Sequence, residues 1–431
     1  MKEIKVGLLG LGTVGSGVVK IIEDHQDRLR HQLGCPVNIA KILVKNIKKE
    51  RDVRITPTML TTDVNDIIYN KDIQIVIEVM GGIKEAREYV LTALNNGKHV
   101  VTANKDLMAL HGAELLSVAK ENHCDLFYEA SVAGGIPILR SIVEGFSSDR
   151  IKKMMGIVNG TTNFILTKMS NEGKAYEDVL KEAQALGFAE ADPSSDVEGL
   201  DAARKMTILA SLGFSTKVEL SDVKVKGITS ITEEDLAYST ELGYTMKLIG
   251  IAKRDGEKLE ISVEPTLLPN SHPLASVQNE FNAVYVFGEA VGETMFYGPG
   301  AGSLPTATSI VSDLVAVIKN MILGVTGNSI VTAQYPKILK GDHEVFTKYF
   351  LRLHVKDEIG VLAKVTTLFS LNEASFEKIV QMPLEEKGTA EIVIVTHRVA
   401  LSNYNALLAA LEAVEAVKCV KASYRIEGDE K

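Results

Sequence analysis

Three observations predict an α/β chain of three domains: a glycine-rich turn between a strand and a helix at the start, short strands alternating with helices in the middle, and a βαββαβ order after residue 348. At 431 residues the chain exceeds what one core holds. Its net charge of −9 offers no basic stripe to nucleic acid or an anionic membrane, so neither is an expected partner and a small-molecule ligand is. No signal peptide precedes the first strand and no apolar run approaches the ~20 residues that span a bilayer, which points to the cytoplasm. Cys35, Cys124 and Cys419 are odd in number and far apart. Reduced thiols are therefore expected, not disulfides or a zinc site.

The apolar strand Ile4–Leu9 runs straight into Gly10-Leu-Gly12-Thr13-Val14-Gly15, and a helical pattern follows over 14–25. That is the GxGxxG fingerprint of a Rossmann domain in its required setting. Gly10 permits the tight turn, Gly12 lets the backbone approach a pyrophosphate, and Gly15 lets helix and strand pack closely. The N–H groups of the first helical turn, at Thr13 and Val14, serve the phosphates. A second strand over 37–44 ends in Lys45-Asn-Ile-Lys48-Lys49-Glu-Arg51, where NAD-selective enzymes usually carry an acid. Lys45 and its neighbours suit a 2′-phosphate, so NADP(H) is the expected cofactor, with NAD possible and a solvated basic loop as the plainer alternative. Strands over 73–79 and 98–103 close in Met80-Gly81-Gly82 and Asn104-Lys105. Ligands of open parallel sheets bind beyond the carboxyl ends of the strands, which places Lys105 beside a nicotinamide.

The segment from Glu190 to Lys205 packs Glu190, Asp196, Asp201, Arg204 and Lys205 into one stretch that continues as an apolar helix. A helix read from Ser195 onward sets Asp201 and Lys205 one turn apart on one face. A surface ion pair is the plainer reading of that spacing. A dinucleotide enzyme needs a group that moves a proton as hydride moves. No Tyr-x-x-x-Lys, HExxH or Cys/His cluster occurs, and Cys124 introduces the apolar stretch 125–128 as a packing residue. Lysine and carboxylate remain. With an unperturbed pKa of about 10.4, lysine is protonated at neutral pH and can donate to a carbonyl without adjustment.

Together with Glu129-Ala-Ser-Val132-Ala-Gly134-Gly-Ile136-Pro137 and Asn159-Gly-Thr-Thr-Asn163, these motifs resemble the homoserine dehydrogenase family over essentially the whole chain. The resemblance implies interconversion of aspartate 4-semialdehyde and L-homoserine with NAD(P)H. It implies Lys105 and Lys205 as catalytic lysines, Lys205 being the proton donor, with Glu190 and Asp201 holding the substrate and Asp196 supporting them. It places Gly187 and Glu190 at the cofactor, and a sodium ion on Glu129 with the carbonyls of Val132, Gly134 and Ile136. A tight turn before Pro137 explains those glycines equally well. In the Asn159 motif, Thr161 or Thr162 is expected to cap a helix, and the motif could also bind substrate or nicotinamide. The loop Tyr297-Gly-Pro-Gly-Ala-Gly302-Ser-Leu-Pro leads into an apolar helix over 306–323. Chain returning to the first domain brings Gly302 to the cofactor; otherwise the loop is a hinge.

Domain borders are expected at 1–147 for the Rossmann domain, rejoined by a helix near 303–325, at 148–302 for an α+β catalytic and dimerisation domain, and at 348–431 for the last domain. The family implies at least a homodimer through the middle sheet. After residue 348, strand 349–355 meets Lys356-Asp357-Glu-Ile-Gly360-Val-Leu-Ala, followed by strands 376–382 and 390–396, helix 403–414 and strand 417–425. This resembles an ACT domain, a module that binds amino acids at its first strand-to-helix loop. Threonine is the expected effector, with the amides of 357–362 taking its carboxylate; an ACT fold kept for dimer contacts is the alternative. No kinase domain is expected ahead of Gly10. The competing readings are a noncatalytic amino-acid sensor on a Rossmann scaffold and a dehydrogenase for another amino acid, such as aspartate.

Overall fold

The computed structural model describes residues 3–328 and 331–428. The chain forms two compact units, and both are interleaved in sequence: Met1–Met154, Ala203–Val223 and Asn282–Lys337 make the first, Met155–Ala202, Lys224–Phe281 and Ile338–Lys431 the second.

The first unit holds a six-stranded sheet of β1 (Ile4–Leu9), β2 (Val37–Leu43), β3 (Leu60–Thr61), β4 (Ile75–Glu78), β5 (His99–Thr102) and β6 (Leu126–Phe127), in the order β3-β2-β1-β4-β5-β6. Every pairing is parallel. The strand order reverses between β1 and β4, which opens a crevice at their carboxyl ends, the place where this architecture takes its ligand. Ile75, Val76 and Ile77 are fully buried, as a strand covered on both faces requires. Val6, Leu8, Val18, Ile22, Ile42 and Ile77 pack with Ala307, Ile310, Leu314 and Val317 of the helix Ser303–Leu323. The returning helix thus completes the core, and it starts three residues earlier than its apolar pattern suggested. It is also the one helix among the described residues long and apolar enough to cross a bilayer, at a mean hydropathy of 1.4, and half of that window is buried in protein. The expectation that no apolar run approaches spanning length is thereby corrected.

In the second unit the strands Tyr244–Asp255 and Lys258–Pro269 form a long antiparallel hairpin, paired from Lys258↔Asp255 to Pro269↔Tyr244. The C-terminal module follows the order Phe346–Lys356, Val361–Leu371, Phe376–Pro383, Thr389–Thr396, Leu401–Glu412 and Val417–Ile426, a βαββαβ fold with antiparallel strands. Leu351, Leu353, Val355, Ile392 and Ile394 meet Val365, Phe369, Leu407 and Leu411 from its two helices. Thr266↔Arg425 and Leu267↔Ile426 pair in parallel, so the hairpin and the module share one sheet.

Candidate active site and cofactor cradle

The glycine turn is shaped by contact. Gly10 has φ +105° and a Cβ there would meet the Val79 carbonyl oxygen at 2.8 Å, while a Cβ at Gly15 would meet the Gly10 oxygen at 2.4 Å. Beside Gly12 there is open space, which suits a pyrophosphate at the start of the helix Thr13–Asp24. A second helix start lies alongside: Ser303 donates its hydroxyl to the Thr13 carbonyl at 2.7 Å, and Ser303 packs on Gly17. Gly302, with φ +121°, is the N-cap of that helix, so two helix N-termini converge on one region of the first unit. On the loop after β2, Lys45, Lys48 and Lys49 are exposed. Arg51 folds back and donates to the carbonyls of Lys49 and Asn46 at 2.7 and 2.8 Å, which fixes the loop that carries them.

Lys105 is the first residue of the helix Lys105–Glu121, capped by Asn104, whose side chain accepts the Leu107 N–H at 3.0 Å. Lys205 lies in the helix Leu200–Gly213. Their sequence neighbours join: Arg204 Nε stands 3.0 Å from Asp106 Oδ1. That ion pair holds the start of one lysine-bearing helix against the other.

Among the carboxylates the long helix expected from Ser195 is broken. A short helix, Ser194–Val197, ends ahead of Gly199, where φ is +85°, and a new one begins at Leu200. Asp201 and Lys205 keep their i, i+4 spacing, but Asp196 sits ahead of the break. Asn159 bridges it, donating through Nδ2 to Asp196 Oδ1 at 2.7 Å and Asp201 Oδ2 at 2.8 Å. Asn159 is also the cap of the helix Gly160–Glu172, accepting the Thr162 N–H at 2.8 Å, so the expected threonine cap is corrected. Thr161 instead donates to the Phe188 carbonyl at 2.6 Å and ties down the exposed turn of Gly187 and Glu190.

Glu129 is buried, and its two carboxylate oxygens accept the N–H groups of Leu139 and Arg140 at 2.7 and 2.8 Å. Burial pushes its carboxyl up. Asp313, buried beside it and paired with Arg140 at 2.7 Å, is raised to about 7 by burial and by the Glu129 charge. Ala133 and Gly134 both have positive φ, and the Gly134 carbonyl accepts the Ser309 hydroxyl at 2.7 Å. Each of these oxygens keeps a lone pair beyond its hydrogen bond, so the donor set suits a hard cation. Among the described residues no group of three or more His, Cys, Asp or Glu is placed to hold a metal. Cys124 is buried and its thiol is pushed up to about 11 by burial and the Asp125 charge, as befits a packing residue.

Three protein families match along the chain: the homoserine dehydrogenase NAD-binding domain at residues 10–129, homoserine dehydrogenase at 137–315, and the ACT domain at 349–416. A homoserine dehydrogenase of Bacillus subtilis (strain 168) is 65% identical over 430 residues, covering 100% of this chain and 99% of that protein. The chain belongs to the homoserine dehydrogenase family. A homoserine dehydrogenase from Thiobacillus denitrificans superposes with a TM-score of 0.93 at 40% identity, covering 99% of this chain and 98% of that one. A hyperthermophilic archaeal homoserine dehydrogenase in complex with NADPH gives 0.63 at 27% identity, over 74% of this chain and 98% of that one.

As a homoserine dehydrogenase, the chain is an NAD(P)-dependent oxidoreductase carrying an ACT domain. Its sequence left two connecting features unread: Asn159 as the bridge between Asp196 and Asp201, and the Asp106–Arg204 pair. Both adjoin residues that had been singled out, and the opposite charges in Lys105-Asp106 and Arg204-Lys205 were the available signal for the second.

Proposed function

We propose that this homoserine dehydrogenase prefers NADP(H) and uses Lys205 as the proton donor to the aldehyde oxygen of aspartate 4-semialdehyde, with Lys105 as the second catalytic lysine. The observation that carries the reading is the Asp106–Arg204 ion pair, which draws the two lysine-bearing helices together. When bound, the reduced nicotinamide supplies the hydride that adds to the terminal carbon of the substrate. The Lys205 ammonium gives its proton to the oxygen, forming homoserine, and in reverse a neutral lysine accepts the hydroxyl proton. Glu190 and Asp201 hold the zwitterionic substrate, supported by Asp196, while Gly10, Gly12, Thr13, Val14, Gly15, Gly187, Glu190 and Gly302 line the cofactor. Lys45 meets the 2′-phosphate; its exposed loop, and the family member in complex with NADPH, support this.

Glu129, with the carbonyls of Val132, Gly134 and Ile136, holds sodium. A homodimer through the middle sheet, a cytoplasmic location and domain borders at 147/148 and 348 complete the proposal. Threonine is taken as the ACT effector. Here the expected amide set is smaller than the loop suggested: the Asp357 N–H is used by the Gly388 carbonyl and the Val361 N–H by that of Glu358.

The test compares NADPH with NADH as reductants of aspartate 4-semialdehyde by nicotinamide absorbance. Oxidation of either establishes turnover. A kcat/KM favouring NADH by about tenfold, ~1.4 kcal/mol, sinks the 2′-phosphate assignment.

A further inference from the structure

We propose that Glu78 and Thr102 are positioning residues for Lys105, acting through Asn104; the proposal rests on the reading of Lys105 as a catalytic lysine. Glu78 closes β4 in the ligand crevice of the first unit and is 0% exposed. No cation pairs with it among the described residues. Burying a carboxylate so is costly, and the cost is offset only by donors aimed at it.

Those donors form a chain with one direction. Glu78 Oε1 accepts the Met80 N–H at 2.9 Å and Oε2 accepts the Thr102 hydroxyl at 2.6 Å. Thr102 Oγ1 in turn accepts the Asn104 N–H at 3.0 Å. Asn104 then divides its amide: Nδ2 donates to the Gly82 carbonyl at 2.7 Å, and Oδ1 accepts the Leu107 N–H, capping the helix that begins at Lys105. On the other side, Val79 and Met80 fill the space a Cβ on Gly10 would need. One carboxylate therefore ties the glycine turn, the Met80–Gly82 loop and the Lys105 helix start into a single piece. Burial pushes the Glu78 carboxyl up, and hydrogen bonds from Thr102, the amides of Met80 and Gly81, and Asn104 pull it back.

Only an acceptor on both sides satisfies this polarity. A glutamine would turn its NH2 toward the Met80 N–H, or toward Thr102, whose hydroxyl hydrogen would then lose its acceptor. The carboxylate costs stability that a neutral residue would not, and what it secures is the register of the loops around the proposed site.

The experiment measures kcat, NADPH dissociation constant and melting temperature for Thr102→Val, Thr102→Ser and Glu78→Gln, with Thr102→Val and Glu78→Gln repeated in Lys105→Ala. Displacing a catalytic ammonium by a fraction of an ångström should lower kcat about tenfold or more in Thr102→Val, with NADPH affinity within about threefold of the parent. Thr102→Ser keeps the hydroxyl and should restore kcat. In Lys105→Ala the same valine should change kcat by less than about twofold, because the residue it acts through is gone. Glu78→Gln serves as the second variant if Thr102→Val fails to fold. Two results overturn the proposal: a Thr102→Val enzyme with parental kcat, or an equal loss with and without Lys105. A near-normal Lys105→Ala enzyme overturns the catalytic reading itself, whereas an inactive Lys105→Ala beside a normal Thr102→Val removes only the positioning role.

Discussion

Lysines in this chain are sorted by what surrounds their nitrogen. Lys247 is 1% exposed and donates to Asn163 Oδ1 at 3.0 Å and the Val277 carbonyl at 2.6 Å, a structural pin in the second unit. Burial lowers it from the ordinary 10.5 to about 8. Because the folded value lies below the unfolded one, the unfolded chain holds a proton that the folded chain has released between about pH 8 and 10.5. Stability therefore rises with pH across that window, by at most ~3 kcal/mol, and the cost of the buried charge is fully present below it. The melting temperature of the parent should climb relative to Lys247→Met as pH goes from 8 to 10. Parallel curves for the two proteins would refute the shift. Lys205→Ala makes a different forecast: kcat should fall by about 10²–10⁴ while NADPH still binds, the size of a lost general acid. Turnover near that of the parent would end its assignment as donor.

At the scale of elements, the break at Gly199 decides how the acids meet. Its φ of +85° is one that a residue with a side chain adopts at a cost of roughly 1–2 kcal/mol. The Val225 and Val263 methyls, 3.1 and 3.3 Å from a Cβ there, add a crowding that side-chain tips can relieve. Gly199→Ala should lower the melting temperature modestly and, by turning Asp196 away from Asp201, raise the KM for homoserine several-fold more than it changes kcat. An unaltered KM would show that the two acids need not share Asn159. Sequence pattern did not reveal this break, because Val197 and Leu200 continue the helical spacing across it. What local rules govern was legible: the glycine turn, five of the six parallel strands to within two residues at their ends, and the βαββαβ order, whereas the two-residue strand Leu60–Thr61 is too short to carry a pattern. The Asn159 cap was missed although asparagine ranks above threonine at that position, because the start of the helix was read one or two residues too late within a motif that offers both. Asn163, whose Nδ2 donates to the carbonyls of Val277, Asn279 and Phe281, depends on partners more than a hundred residues away. No short-range pattern carries that information, nor the crossing of 203–223 into the first unit.

Over the whole molecule, the C-terminal module is joined to the long hairpin by charge as well as by strand pairing. Arg425, 4% exposed, stands among Glu260 and Glu264 of the hairpin and Glu427 of its own segment, and Lys253 reaches Glu427 at 2.7 Å. A buried cluster of this kind contributes little net stability compared with apolar packing, but removing one member leaves uncompensated charge. Among the described residues two cations here face three carboxylates, so loss of Arg425 leaves three acids and a single lysine, with Glu427 buried and Glu260, Glu264 and Lys253 partly exposed. Arg425→Met should destabilise the second unit by about 3–5 kcal/mol, the cost typical of breaking a buried pair from one side. Replacing Glu260 and Arg425 together by apolar residues should recover part of that loss, since the orphaned charge goes with its partner. Scanning calorimetry of both variants decides the matter. If Arg425→Met melts with the parent, the cluster is open to water in solution, and the module is held to the hairpin by the Thr266↔Arg425 and Leu267↔Ile426 backbone pairing and its apolar packing alone.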